Sequence, residues 1–323
     1  MSNKLQTVSQ AYYKEVIPTF LPGLTTDTLY SAQSGLIGEH LFNISLNSNA
    51  FLDTLPEKYK PNSSSVVQFT SLKVLFSILN ERGIRLYNLN NMNDPDEMNY
   101  LFKHLDSNED LINYYKNNVY VSSFCSEEIF SSDNILNLWR LYGDGGNGVA
   151  IEFEISEDVK HKRDYLFAKT VYEKINISKI IEANKIFEKK YDVEVNYNEL
   201  FKIPACMHKN PAYSIEQEVR LIFFSKEKQM REMAEKNLRY KPDVNRFGQV
   251  ITYFKMPINA KEDDVFPSLK IKKIQFGFKT SEKVFNSVKD KLDSFFRGFV
   301  YSGIIEEDDF PVFEMSPLEN IYR

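Results

Sequence analysis

Several residue types that anchor common protein classes are scarce in this chain. Its 323 residues include two cysteines, Cys125 and Cys206, four histidines and one tryptophan. Two cysteines make no disulfide framework and match no zinc spacing. His40, His104, His161 and His208 contain no pair at i, i+3 or i+4, which argues against a histidine-based metal site. No run of 18 apolar residues occurs, so no membrane-spanning helix is expected. The leading MSNKLQTVSQAYYKEV lacks the apolar core of a secretion signal. A reducing, cytoplasmic setting is therefore expected. Positive charge is not in excess either: 40 Lys and Arg against 45 Asp and Glu give a net charge of −5, which argues against a strongly basic nucleic-acid binder.

What is present is apolar and aromatic. A 42% hydrophobic and 14% aromatic chain of this length can bury one large core or two smaller ones. Residues 1–62, with aromatics broken by Pro18, Pro22 and Gly23, are expected to be an N-terminal extension, ending in the linker-like EKYKPNSSS. Residues 63–323 are expected to be the main domain. Within it, VVQFT predicts a strand. Thr70 or Ser71 caps a helix with Leu72, Leu75, Phe76 and Leu79 at i, i+3, i+4, i+7, and Gly83 falls where a left-handed terminator belongs. IRLYNL, VYVSSFCS, VAIEFEI, ITYFKM and IKKIQFGF predict further strands, and ILNLWRLYG a short helix. SEKVFNSVKDKLDSFFRG predicts a helix with Val284, Phe285, Val288 and Leu292 inward and Gly298 as its stop. Residues 156–210, rich in Lys and Glu, predict a helical insertion. Runs of strands interrupted by unequal helices predict an α+β fold.

The stretch SIEQEVRLIFF carries the most pointed pattern. Read as a strand, it places Glu216, Glu218 and Arg220 on one face, then becomes apolar on both faces, as a strand does when it runs from a polar mouth into a buried sheet. Two carboxylates at such a mouth can have tuned pKa values and orient a substrate; a solvated strand start with an arginine neutralising two acids accounts for the same letters. Asp94, Asp96 and Glu97 suit a magnesium site, and equally a capped helix N-terminus beginning at Asp94. GDGGNG lacks the Lys-Ser/Thr of a P-loop and precedes a strand, which favours a simple turn. Cys125 on its strand reads as a buried residue in preference to a nucleophile.

Together these segments carry two resemblances. NDPDE (93–97), SSFCS (122–126), WRLYGDGGNGVAIEF (139–153), EQEVR (216–220) and IKKIQFGF, over residues 65–280 or so, resemble a bacterial family of domains of unknown function. Their order is more distantly similar to that of ADP-ribosyltransferases. That resemblance implies a split β-sheet core with an N-terminal extension and a helical insertion, NAD as substrate, and a protein or nucleic-acid acceptor. It further implies a bacterial toxin or phage-defence role with a neutralising partner protein. Carried over residue by residue, it implies Glu218 as the acid that stabilises the ribose cation and Glu216 as the residue that orients or deprotonates the acceptor. Gln68, Phe69 and Thr70 fall beside the nicotinamide, Tyr87 or Trp139 stacks on its ring, Ser122 and Ser123 bind ribose or brace Glu218, and Arg220 reaches the pyrophosphate. Gln68 stands where those enzymes have Arg or His, and VSSF lacks their middle Thr. Glu218→Gln is then expected to lose about 3–4 kcal/mol of transition-state stabilisation with little change in folding. A metal-dependent nuclease or hydrolase using Asp94, Glu97, Glu216 and Glu218, and a non-catalytic nucleotide-binding module, are the competing expectations.

Overall fold

The computed structural model describes residues 2–19, 21, 29–33, 41–46, 55–91, 98, 109–156, 165–173, 176–196, 198–225, 240–244, 248–258 and 267–318. The Asn93–Glu97 motif and the polar stretch 226–239 lie outside these residues. In chain order the elements are α1 (Ser2–Glu15), β1 (Leu29–Gln33), β2 (Leu41–Leu46), β3 (Ser65–Thr70), α2 (Leu72–Glu81), β4 (Gly83–Asn88), α3 (Glu109–Asn118), β5 (Val119–Ser126), α4 (Ile135–Leu141) and β6 (Val149–Ser156). There follow β7 (Tyr165–Lys169), α5 (Ile177–Tyr191), β8 (Glu194–Asn196), α6 (Lys202–Met207), β9 (Glu218–Phe224), β10 (Tyr240–Val244), β11 (Val250–Pro257), β12 (Ser268–Phe276), α7 (Glu282–Tyr301) and β13 (Val312–Met315).

Among the described residues, ten strands make one mixed sheet along the path β10-β11-β4-β5-β3-β6-β12-β13, with β9 paired to β5 and β7 to β9; β1, β2 and β8 form a second, small sheet. The architecture is thus mixed α/β. β5 is the pivot. One of its edges is taken by β9 from Val119 to Cys125. The other is shared: β4 pairs at Tyr120 and Val121, while β3 pairs at Cys125 and Ser126. Between these two pairings, residues 122–124 of that edge pair with neither β3 nor β4.

Cross-strand partners share a face. Val121, Ser123 and Cys125 therefore lie with Ile222, Arg220 and Glu218 on what we term the front, and Tyr120, Ser122 and Phe124 lie with Phe223, Leu221 and Val219 on the back. The back packs on α2 and α7 through Leu75, Ile78, Leu79, Leu292 and Phe296. The front is covered in two places. Val8, Tyr12, Phe42 and Tyr59 of the N-terminal segment join Ile180, Phe187 and Met207 over Val121 and Ile222. Trp139 of α4, with Ile129 and Leu138, covers Val67, Phe69 and Cys125. The segment 156–210, expected to be helical, thus also contributes β7 to the main sheet and β8 to the small one.

Local chemistry sets most element ends. The Ser71 hydroxyl accepts from Val74 N–H, and Ser281 does the same for Val284 at the start of α7, each an N-cap worth about 1 kcal/mol. The expected glycine terminators differ. Arg82, not Gly83, takes the left-handed position after α2, with φ 51°. Gly83 opens β4, where a Cβ would meet Met256 O at 2.7 Å. Gly298 lies inside α7, and the left-handed glycine is Gly303, φ 69°. Val284, expected inward, is 42% exposed because it sits in the first turn of α7, before the helix reaches the core.

Candidate functional site

The strand of the SIEQEVRLIFF stretch starts at Glu218, four residues later than alternation predicts. Asn210 caps a 3-10 turn, Pro211–Glu216, by accepting from Ala212 N–H. Gln217 then adopts the left-handed conformation, φ 44° and ψ 48°, and β9 begins at Glu218. A non-glycine residue in that region costs about 1–2 kcal/mol. It folds Glu216 back toward the front face, so the two acids meet through a turn and not through strand alternation.

They meet on one cation. Lys209 Nζ donates to Glu216 Oε2 at 2.7 Å and to Glu218 Oε2 at 3.3 Å. Tyr142, at the end of α4, donates to Glu216 Oε1 at 2.6 Å. Arg220, fully buried, donates to Glu218 Oε2 at 2.8 Å and to the Cys206 carbonyl at 2.7 Å. The Glu218 N–H donates to the Tyr172 hydroxyl at 3.0 Å, and the Lys209 ammonium lies 4.7 Å from the centre of the Tyr213 ring. Two carboxylates and two cations thus balance within a site that exposes only 3% of Glu218.

Burial alone would raise the Glu218 carboxyl. The Arg220 guanidinium and then the Lys209 ammonium outweigh it and hold the group well below the usual carboxylate range. The same neighbourhood acts oppositely on neutral acids. Burial, then the Glu218 and Glu216 charges, pushes the Cys125 thiol up, so a thiolate nucleophile is disfavoured there. The Tyr172 and Tyr142 phenols are raised by burial and by the same carboxylates.

The expected site residues separate into three groups. Glu216, Glu218, Arg220 and Ser123 come together on the front. Ser122, expected to brace Glu218, points to the back beside Leu221; Ser123 is the hydroxyl on the carboxylate's side, since adjacent strand residues face opposite ways. Gln68 and Tyr87 line a pocket of about 130 Å³ between β3 and β4, with Ser77, Glu81, Gly83 and Arg85. Gln68 projects to the back with Ile151, the face opposite Glu218, and its Oε1 is buried without a hydrogen-bond partner. Arg85 fills one side of this pocket, paired with Glu81 and Asp243 and stacked 4.6 Å from the centre of the Tyr253 ring. Trp139 and Phe69 form the third group. They pack edge to face at 5.0 Å inside the core, and Trp139 is fully buried, so it is not available to stack on a ligand. Thr70 is buried at the end of β3, close against Gly148. Lys209, Tyr142 and Tyr172, which complete the front cluster, carry no local signal in the sequence; only folding brings them to Glu218.

A family model described as a protein of unknown function, DUF2971, matches residues 138–221. The chain is similar to that family from α4 to the fourth residue of β9, the stretch that supplies Tyr142, Lys209, Glu216, Glu218 and Arg220. No curated protein and no solved structure matches. Among the described residues, no group of three or more His, Cys, Asp or Glu is placed to hold a metal ion, and no helix is long and apolar enough to cross a membrane.

Proposed function

We propose that the chain is an NAD-consuming enzyme of the ADP-ribosyltransferase kind. In this reading it transfers ADP-ribose to a protein or nucleic acid as a bacterial toxin or phage-defence effector. The observation that carries the reading is the convergence of Glu216 and Glu218 at the start of β9, with Ser123 on the same face, beside the interval of β5 that pairs with neither β3 nor β4. Both cations bind Glu218 through Oε2, which makes Oε1 the oxygen to accept a ribose 2′-hydroxyl. A carboxylate there stabilises positive charge developing on the ribose as nicotinamide departs. Glu216, tied to the solvent-reaching Tyr142, is the residue to orient an acceptor.

The test is nicotinamide release from NAD by the purified chain, compared with Glu218→Gln at a temperature where both are folded. A loss of about 10²–10³ in rate is expected. Absence of release by the wild-type protein with protein and nucleic-acid acceptors, or equal rates for the two proteins, overturns the reading. The deep burial of Glu218 and its pairing with two cations through one oxygen favour one alternative, a non-catalytic module that binds a nucleotide. It would show thermal stabilisation by NAD without nicotinamide release.

A further inference from the structure

Lys209 occupies a position that the proposed chemistry leaves without a role. Its backbone is anchored: Val171 N–H donates to Met207 O at 2.7 Å, and Lys209 N–H donates to Val171 O at 3.1 Å. This bridge pairs Val171 with the extended residue His208. His208 faces inward, where its Nε2 lies 2.8 Å from the Tyr59 hydroxyl. In extended backbone the next side chain points the other way, so burying His208 in the N-terminal core aims Lys209 at the front cluster. There its side chain is 11% exposed, as is that of Glu216. A lysine this buried is tolerated when it is paired.

The geometry points to Lys209 as the positioning residue of this site: its ammonium draws Glu216, from the 3-10 turn, and Glu218, from the strand, to one point. Without that cation, two like charges reached from a single atom at 2.7 and 3.3 Å would repel. Among the described residues, the Glu216 side chain would then retain only its bond from Tyr142, and the left-handed Gln217 would have less to hold its fold-back in place. The other titratable or charged groups that face Glu218 are Arg220 on its own strand, Glu216 in the turn, Cys125 on β5, Tyr172 after β7 and Tyr142 at the end of α4. Arg220 still neutralises Glu218 when Lys209 is removed, so the effect of Lys209 is readable as a shift and not as collapse of the site.

The role as an aligner of catalytic acids rests on the ADP-ribosyl reading; the electrostatic role does not, and the experiment separates them. Wild type, Lys209→Met and Lys209→Arg are compared in two measurements. The first is the titration of the Glu218 carboxyl by carbon NMR of glutamate-labelled protein, assigned with Glu218→Gln. The second is the pH profile of nicotinamide release. Lys209→Met should raise the Glu218 midpoint by about one unit or more and move the acid limb of the profile upward by the same amount. Lys209→Arg should restore both. If Lys209→Met does not fold, Lys209→Gln, which keeps a donor without the charge, replaces it. An unmoved Glu218 titration in the uncharged variant overturns the proposal. If the titration moves while wild type releases no nicotinamide at any pH, Lys209 keeps its positioning role and the ADP-ribosyl reading falls instead.

Discussion

Replacing Glu218 by glutamine is the perturbation on which structural and chemical readings diverge most. From alternation alone, Glu218 lies at a wet strand start and its amide isostere should fold like the wild type. In the structure it is 3% exposed, its partner Arg220 is fully buried, and Lys209 leans on the same oxygen. Breaking a buried pair from one side leaves an uncompensated charge and costs about 3–5 kcal/mol. Glutamine keeps a carbonyl that can still accept from Arg220, so the lower end, about 3 kcal/mol, is expected. Urea unfolding at pH 7 measures it as a lower midpoint at unchanged slope. The pH dependence gives a second, sign-specific check. A carboxyl depressed by folding contributes stability in full above its unfolded value, about 4.3, and loses it as pH falls toward the folded value. The gap between wild type and Glu218→Gln should therefore be widest at neutral pH and close as the solution is acidified. A variant as stable as wild type at pH 7, or a gap that widens in acid, would refute the reasoning.

Two further outcomes follow from packing. Gly148→Ala should lose more than about 3 kcal/mol, because its Cβ would fall 2.1 Å from the Thr70 carbonyl oxygen, a backbone atom held in β3. Gly298→Ala, with nothing within 4 Å inside α7, should gain about 0.5–1 kcal/mol, and thermal melts that failed to separate the two would contradict this account. Cys125 and Cys206, both buried and the former with its thiol raised, should resist iodoacetamide at pH 8 in the native protein and react fully in denaturant. Stoichiometric labelling of native Cys125 would show the site to be more open than described.

Periodicity and capping made much of the scaffold legible. Val66 to Thr70, Val119 to Ser126 and Val149 to Ile155 alternate or run apolar as strands do, and Ser71 and Ser281 cap their helices through hydroxyls that any reader of the sequence can see. Both are near-neighbour effects, written in residues two to four apart. The helix ends were harder. Arg82 adopts a left-handed conformation more usual for glycine, while Gly83 opens β4, where the Met256 carbonyl leaves no room for a side chain.

The front cluster divides along the same line. By itself the sequence determined that Glu218 and Arg220 share a strand face and that this strand then runs wholly apolar into a sheet, since a two-residue period needs no knowledge of the rest of the chain. Only the tertiary structure decided that Glu216 folds back through Gln217, that Ser123 and not Ser122 faces the carboxylate, and that Lys209 and Tyr142 meet it. Those choices depend on register between β5 and β9, on the Val171–His208 bridge and on α4 being seated over β3. They join residues up to 105 positions apart, and charge attraction across such separations acts only after hydrophobic burial has brought the elements together.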